Sequence, residues 1–199
     1  MVLRTRKPGS SSREGRCRDP TRIPPGAGVG AESRLLSLRK VARPVARHSW
    51  SVSSFDDLVV GDEWETPRRT VTQSDVVWFA GLSGDFNPIH VDHSRTGSSP
   101  FGQPIAHGLL GLAIGSGLFS QAPRVDTLAF LAILEWKFHR PIRFGDTIQG
   151  IARVDALEPT ANGRRGVVTW YRRILNQDGH LVQDGRTQTL VRGRSRGRS

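Results

Sequence analysis

The stretch from 107 to 120, His107-Gly108-Leu109-Leu110-Gly111-Leu112-Ala113-Ile114-Gly115-Ser116-Gly117-Leu118-Phe119-Ser120, decides the fold. Its apolar residues fall nearly all round a helix rather than along one stripe, and such a helix is buried. Other parts of the chain must therefore wrap it. Gly108, Gly111, Gly115 and Gly117 each cost about 1 kcal/mol of helix propensity against Ala, so their presence points to close backbone approach by a sheet or a ligand. Downstream of Pro123 the period changes. Four runs, Leu128 to Phe138, Thr147 to Leu157, Gly166 to Leu175 and His180 to Val191, are rich in β-branched and aromatic residues. Turn signals at Phe144-Gly145-Asp146, Ala161-Asn162-Gly163 and Asp178-Gly179 separate them. One buried helix followed by four long strands predicts an α+β domain, an antiparallel sheet curled around a central helix. In the first run Glu135 and Lys137 alternate with Trp136 and Phe138, as expected of a strand with one face on the core. The Trp residues are expected in that core because each buries a large apolar area.

Upstream, a short extended piece is expected around Trp64 to Val71, followed by a helix from Thr72 that carries Val76, Val77, Phe79, Ala80 and Leu82. Thr72 or Ser74 can cap it, with Asp75 near its positive end. The helix should stop at Ser83-Gly84. Next comes Asp85-Phe86-Asn87-Pro88-Ile89-His90, which places a carboxylate, an amide and an imidazole around one rigid turn. Pro88 fixes φ and disfavours a helical Asn87, so an ordered bend rather than a continuing helix is expected between Asp85 and His90. Such a bend can bring an acid and an imidazole to one water molecule, the geometry of general acid and base chemistry. Asn87 can orient either group. Residue by residue, ordinary turn chemistry explains Gly-Asp and Asn-Pro equally well. Asp92 to Thr96 reads as one helical turn, and Pro100 to Pro104 as a loop before the long helix.

The 199 residues suit one domain with extensions. Residues 1–50 carry 12 Lys/Arg against 3 Asp/Glu, residues 186–199 carry 5 Arg and no acid, and residues 51–185 carry 12 Lys/Arg against 15 Asp/Glu. The net charge of +11 therefore belongs to the ends. A mildly acidic body with basic tails argues for solvated arms and against a nucleic-acid surface. Residues 1–50, rich in Arg, Ser, Gly and Pro, have the composition of a disordered extension. A mitochondrial transit peptide and a start placed upstream of the natural one are the alternatives. The domain is expected over 51–192, with 193–199 as a flexible Arg/Gly/Ser tail. Cys17 is the only cysteine, so neither an intrachain disulfide nor a thiolate zinc site can form. Neither His90/His93 nor His107/His139 has a third ligand in reach of its spacing, and no metal is expected. The apolar run from Ile105 to Phe119 is short for a membrane span, and a cytoplasmic location is expected, or the mitochondrial matrix if residues 1–50 are a transit peptide.

With Phe79 upstream and Pro104-Ile105-Ala106-His107-Gly108 downstream, the stretch Leu82 to Asp92 resembles the MaoC-like (R)-specific enoyl-CoA hydratases, or hydratase 2. The resemblance runs from about Phe55 to Arg192. It implies a hot-dog fold, in which Asp85 and His90 are the catalytic pair and the backbone N–H of Gly108 binds the thioester oxygen. Ser116 stands at the spacing of a supporting serine. His107 either locks the loop before the helix or touches the ligand directly. The implied reaction is reversible hydration of a trans-2-enoyl-CoA to the (3R)-3-hydroxyacyl-CoA, with no cofactor beyond the coenzyme A of the substrate. Arg140, Arg143 and Lys137 are candidates for its phosphates. The resemblance also implies a homodimer joined through sheet edges. A hot-dog acyl-CoA thioesterase and a non-enzymatic acyl-CoA-binding module are the competing readings, since one scaffold hosts several functions.

Overall fold

The computed structural model describes residues 52–95, 100–160 and 163–194. Five strands, β1 (Glu63–Thr70), β2 (Thr127–Phe138), β3 (Thr147–Pro159), β4 (Arg165–Leu175) and β5 (Leu181–Arg192), form one antiparallel sheet in the order β1-β3-β4-β5-β2. The helices are α1 (Gln73–Ser83), the single-turn α2 (Pro88–Val91) and α3 (Gly108–Phe119). Leu110, Ile114, Leu118 and Phe119 of α3 share one buried core with Ile148, Val154, Val168, Trp170 and Ile174 of the sheet, and Val71 and Val76 belong to it as well. Each such side chain stabilises the fold by roughly 1.5–3 kcal/mol relative to exposure. The glycines of α3 show why they are glycines: a Cβ on Gly111 would lie 2.3 Å from Gln183 Nε2, and one on Gly115 would lie 2.5 Å from Ile174 Cδ1. Gly117, by contrast, has open space around it.

The structure departs from the sequence-based expectations in several places. The short extended piece before α1 is a full strand, β1, paired with β3. Pro67 is tolerated there because β1 is an edge strand with a register shift between Glu65 and Arg68. Buried Thr66 accepts the Gly150 N–H at 2.8 Å across this irregularity. The simple alternation expected of β2 is absent, because register shifts leave Leu128, Leu131 and Leu134 without partners opposite. Extra residues of this kind bend a strand and strengthen its twist. As a result, Leu128, Phe130, Leu131, Ile133, Leu134 and Phe138 are all exposed.

The long helix is wrapped on one side only. Leu109 is 62% exposed, and Ala113 and Ser116 on the same face are exposed as well. All-round apolarity reports burial without saying how many sides one chain covers. Trp170 is in the core as expected, its Nε1–H donating to Thr189 Oγ1 at 2.8 Å, but Trp78 on α1 is 80% exposed. Val77 and Leu82 of α1 are exposed too.

Gly193 and Arg194, expected in the flexible tail, are both hydrogen-bonded. The Gly193 N–H donates to Arg164 O at 2.8 Å, and Arg194 bonds Asp56 through its backbone and Asp57 through its guanidinium. The expected disorder of 1–50 and of the last five residues, part of the helical turn near Thr96, and the tip of the turn at Ala161-Asn162 lie outside the described residues. Among the described residues, no helix is long and apolar enough to cross a membrane.

Candidate active site

Helix α1 starts on a reciprocal cap. Thr72 Oγ1 accepts the Asp75 N–H at 3.2 Å, while the Asp75 carboxylate accepts the Thr72 N–H at 2.8 Å. Desolvation alone would raise the Asp75 carboxyl, but these bonds and the Arg69 ion pair at 2.6 Å outweigh it and hold the group below the ordinary range. The helix ends at Gly84, whose φ of 77° requires a residue without Cβ strain and whose N–H closes on Ala80 O at 2.8 Å. The chain then turns on its own side chains. Ser83 Oγ accepts the Asp85 N–H at 3.2 Å, Asp85 Oδ1 accepts the Asn87 N–H at 3.2 Å, and Asn87 Oδ1 accepts the Ile89 N–H at 3.1 Å.

The expected bend therefore reaches only to Asn87. Pro88 opens α2, because a φ already near helical and a missing N–H suit a first helical position. His90 consequently sits on a helical turn rather than at the end of a bend. Asn87 is the N-cap of that turn, and its backbone N–H holds one oxygen of Asp85, so the other faces His90.

Two histidines meet the carboxylate. His90 Nδ1 lies 2.8 Å from Ile105 O, and since a carbonyl only accepts, Nδ1 carries the hydrogen. In neutral His90 the lone pair is then on Nε2, 3.9 Å from Asp85 Oδ2. That separation is too long for a direct bond, yet a single water at about 2.8 Å from both atoms fits it. His107 is held in the opposite tautomer. Its Nε2 lies 2.9 Å from the backbone oxygen of Asp85 and must donate, while its buried Nδ1 has no partner. The two rings stack with centroids 3.8 Å apart, and Phe79 packs on His107 at 5.1 Å. The Asp85 side chain is 52% exposed; those of His90 and His107 are almost buried.

Ligand atoms of Asp85, His90 and His107 lie within 4.8 Å of one another, a grouping able to hold a metal ion. The histidine pairings weighed from the sequence were the wrong ones. His93 instead bonds Gln73 at 3.1 Å, and His139 bonds Asp184 at 2.7 Å. Of the three clustered groups, His107 Nε2 is already committed as a donor to Asp85 O.

Gly108 follows His107 as the first residue of α3, so its N–H is among those no helix carbonyl can satisfy. His107 makes no side-chain cap there. Gln183, which sequence reasoning missed, steadies this helix start: its Nε2 donates to Gly108 O at 3.0 Å and its Oε1 accepts from Trp136 Nε1 at 3.0 Å. A polar amide in the strand run Leu181 to Gly185 was its only signal. Ser116 does not join the cluster. It lies eight residues beyond Gly108, about 12 Å along the helix, on the open face of α3 beside Leu112 and Ala113. Lys137 lies 3.7 Å from Glu135. The Arg140 and Arg143 backbones join turns beside β3 and β5, donating to Val182 O and to Asp146.

Comparison with known proteins gives a consistent picture. A family model described as the MaoC like domain matches residues 57–171. The (R)-specific enoyl-CoA hydratase of Rhodospirillum rubrum is 31% identical over 141 residues, covering 70% of this chain and 92% of that protein. Protein MaoC of Klebsiella aerogenes is 38% identical over 95 residues, which are 48% of this chain but only 28% of that larger protein. A Mycobacterium tuberculosis protein with a double hot-dog fold superposes with a TM-score of 0.64, at 21% identity, over 74% of this chain and 46% of its own, and so supports the hot-dog fold.

Proposed function

Because the chain belongs to the MaoC-like family of hydratases and dehydratases, we propose that it adds water reversibly across the double bond of a trans-2-enoyl-CoA. The observation that carries this reading is the 3.9 Å gap between Asp85 Oδ2 and His90 Nε2, which one water can bridge. In the hydration direction the water oxygen bonds to C3 as its proton passes to one member of the pair. The double-bond electrons move toward the thioester oxygen, and C2 then takes a proton from the site. The enolate oxygen is received by the Gly108 N–H, at the positive end of α3. Asn87 and His107 keep the carboxylate in place. The product is the (3R)-3-hydroxyacyl-CoA, and the two proton transfers need no cofactor beyond the coenzyme A of the substrate.

The active form proposed is a homodimer. β2 ends the sheet, and an unpaired edge with a row of exposed apolar side chains favours pairing with a second copy. Incubation of the full chain with crotonyl-CoA tests the reaction. Loss of the enoyl absorbance without free thiol, with a (3R) product on chiral analysis, is the expected result. Thiol release without hydration would overturn it in favour of a thioesterase.

A further inference from the structure

Against the first turn of α3 lies a polar side chain that the chain itself buries. Gln183 of β5 is 2% exposed. Its Oε1 accepts from Trp136 Nε1 at 3.0 Å and its Nε2 donates to Gly108 O at 3.0 Å. An indole N–H only donates and a carbonyl only accepts, so a single orientation of the amide satisfies both neighbours. Both bonds are made within one chain. Three glycines clear the space around them. A Cβ on Gly111 would lie 2.3 Å from Gln183 Nε2, one on Gly108 would lie 2.9 Å from the Phe138 ring, and one on Gly185, which stands opposite Trp136 in the register of β2 and β5, would lie 2.5 Å from Trp136 Cε3. The amide is pinned at both ends and cannot swing aside for a larger residue without losing a bond.

An apolar side chain of the same size would fill this place without burying an amide. A fully bonded buried polar network, however, fixes one arrangement of its members, and the backbone atom at the end of this one is the Gly108 carbonyl oxygen. The need for it is local. Glycine at a first helical position turns away from helical geometry more easily than any other residue, and His107, the N-cap, makes no side-chain bond that would hold it. The amide grips Gly108 by its oxygen, while the Phe138 ring occupies the side where a Cβ would stand. With both held, the direction of the Gly108 N–H is held too.

Resting on the hydratase reading for the use of that N–H, we propose that Gln183, held by Trp136, is a positioning residue for the oxyanion donor. It sets the orientation in which the Gly108 N–H meets the thioester oxygen. A donor aimed at charge that develops during the reaction lowers the barrier more than it tightens substrate binding, so Gln183 acts on kcat rather than on KM.

Two measurements on the full chain separate this claim from a merely structural role and from the reaction itself. The first is crotonyl-CoA hydration in Gln183→Met, which keeps the volume and loses both bonds, and in Trp136→Phe, which loses only the bond to Oε1. In Gln183→Met kcat should fall on the order of 10²-fold, the cost of misplacing a reacting group by about 1 Å, with KM nearly unchanged. Trp136→Phe should lose less in the same direction, and it serves as the second variant should Gln183→Met not fold. The second is the infrared stretch of the thioester carbonyl in bound butyryl-CoA, a saturated probe that cannot be hydrated. Its frequency falls when the oxygen accepts a hydrogen bond, so the parent should show a lowered band and both variants a band closer to that of the free thioester. A lowered band that the variants lose, in a chain that does not hydrate crotonyl-CoA, would sustain the positioning role and reject the hydratase. A parent band at the free position, or the parental band retained in folded Gln183→Met whatever its Tm or kcat, would overturn the proposal.

Discussion

Replacing Asp85 by Asn and His90 by Gln, singly and together, tests whether the two groups act on one water. Each change removes a proton acceptor while keeping nearly the same volume. General acid and base catalysis contributes about 10²–10⁴-fold, or roughly 3–5 kcal/mol of barrier, and kcat for crotonyl-CoA hydration should fall by that factor in either single variant. The stability costs should differ. Asp85 is half-exposed and its Oδ1 accepts one backbone N–H, which an Asn oxygen also accepts, so Asp85→Asn should stay within about 0.5 kcal/mol of the parent. His90 is nearly buried, donates to Ile105 O and stacks on His107, so His90→Gln should cost about 1–2 kcal/mol. Both remain folded at assay temperature, as thermal melts would verify. Because the two groups flank one water, the double variant should be little worse than the poorer single variant. Near-native turnover in either single variant, or losses that multiply in the double, would refute a shared water and return the segment to ordinary turn chemistry.

Two further outcomes follow from other parts of the fold. Light scattering should give the parent chain twice its monomer mass, and Leu131→Arg combined with Leu134→Arg, on the exposed apolar row of β2, should give a monomer; an unchanged mass would rule out that edge as the interface. Asp57 is held at about 2, first by the Ser54 hydroxyl and backbone N–H and also by Arg194. With the folded value depressed, its contribution is present above the ordinary 3.8 and is lost as pH falls toward about 2. Tm should accordingly fall over that window, less steeply in Asp57→Asn, and identical slopes would exclude Asp57 as a source of acid sensitivity.

Much of the fold was legible because period reports local structure. The unbroken apolarity of 108–119 gave α3, and the four β-rich runs gave β2 to β5 to within a few residues. The failures share a physical cause. Pro67 reads as a break in a strand, and only its place at a sheet edge, beside a register shift, makes it harmless. The three leucines of β2 that lack partners disturb the alternation from which a strand's faces are read, so Phe138 and Ile133 turn out exposed. Neither effect exists in the sequence of one strand alone. Likewise the face of α3 that carries Ser116 cannot be assigned until its neighbours are placed.

The candidate site was legible where it is contiguous and hidden where it is assembled. Asp85, Asn87 and His90 lie within six residues, and their side chains and backbone fix one another through short-range bonds. What spacing could not show is the division between two stacked imidazoles. Ile105 O holds the hydrogen of His90 on Nδ1, whereas Asp85 O holds that of His107 on Nε2. A proton added to His90 would sit on Nε2 and face the Asp85 carboxylate at 3.9 Å. One added to His107 would sit on Nδ1, which is buried and has no partner. The two backbone carbonyls thus decide which ring turns its second nitrogen toward the Asp85 carboxylate, the one the proposed shared water requires, and they leave the other to hold the backbone of Asp85 in place.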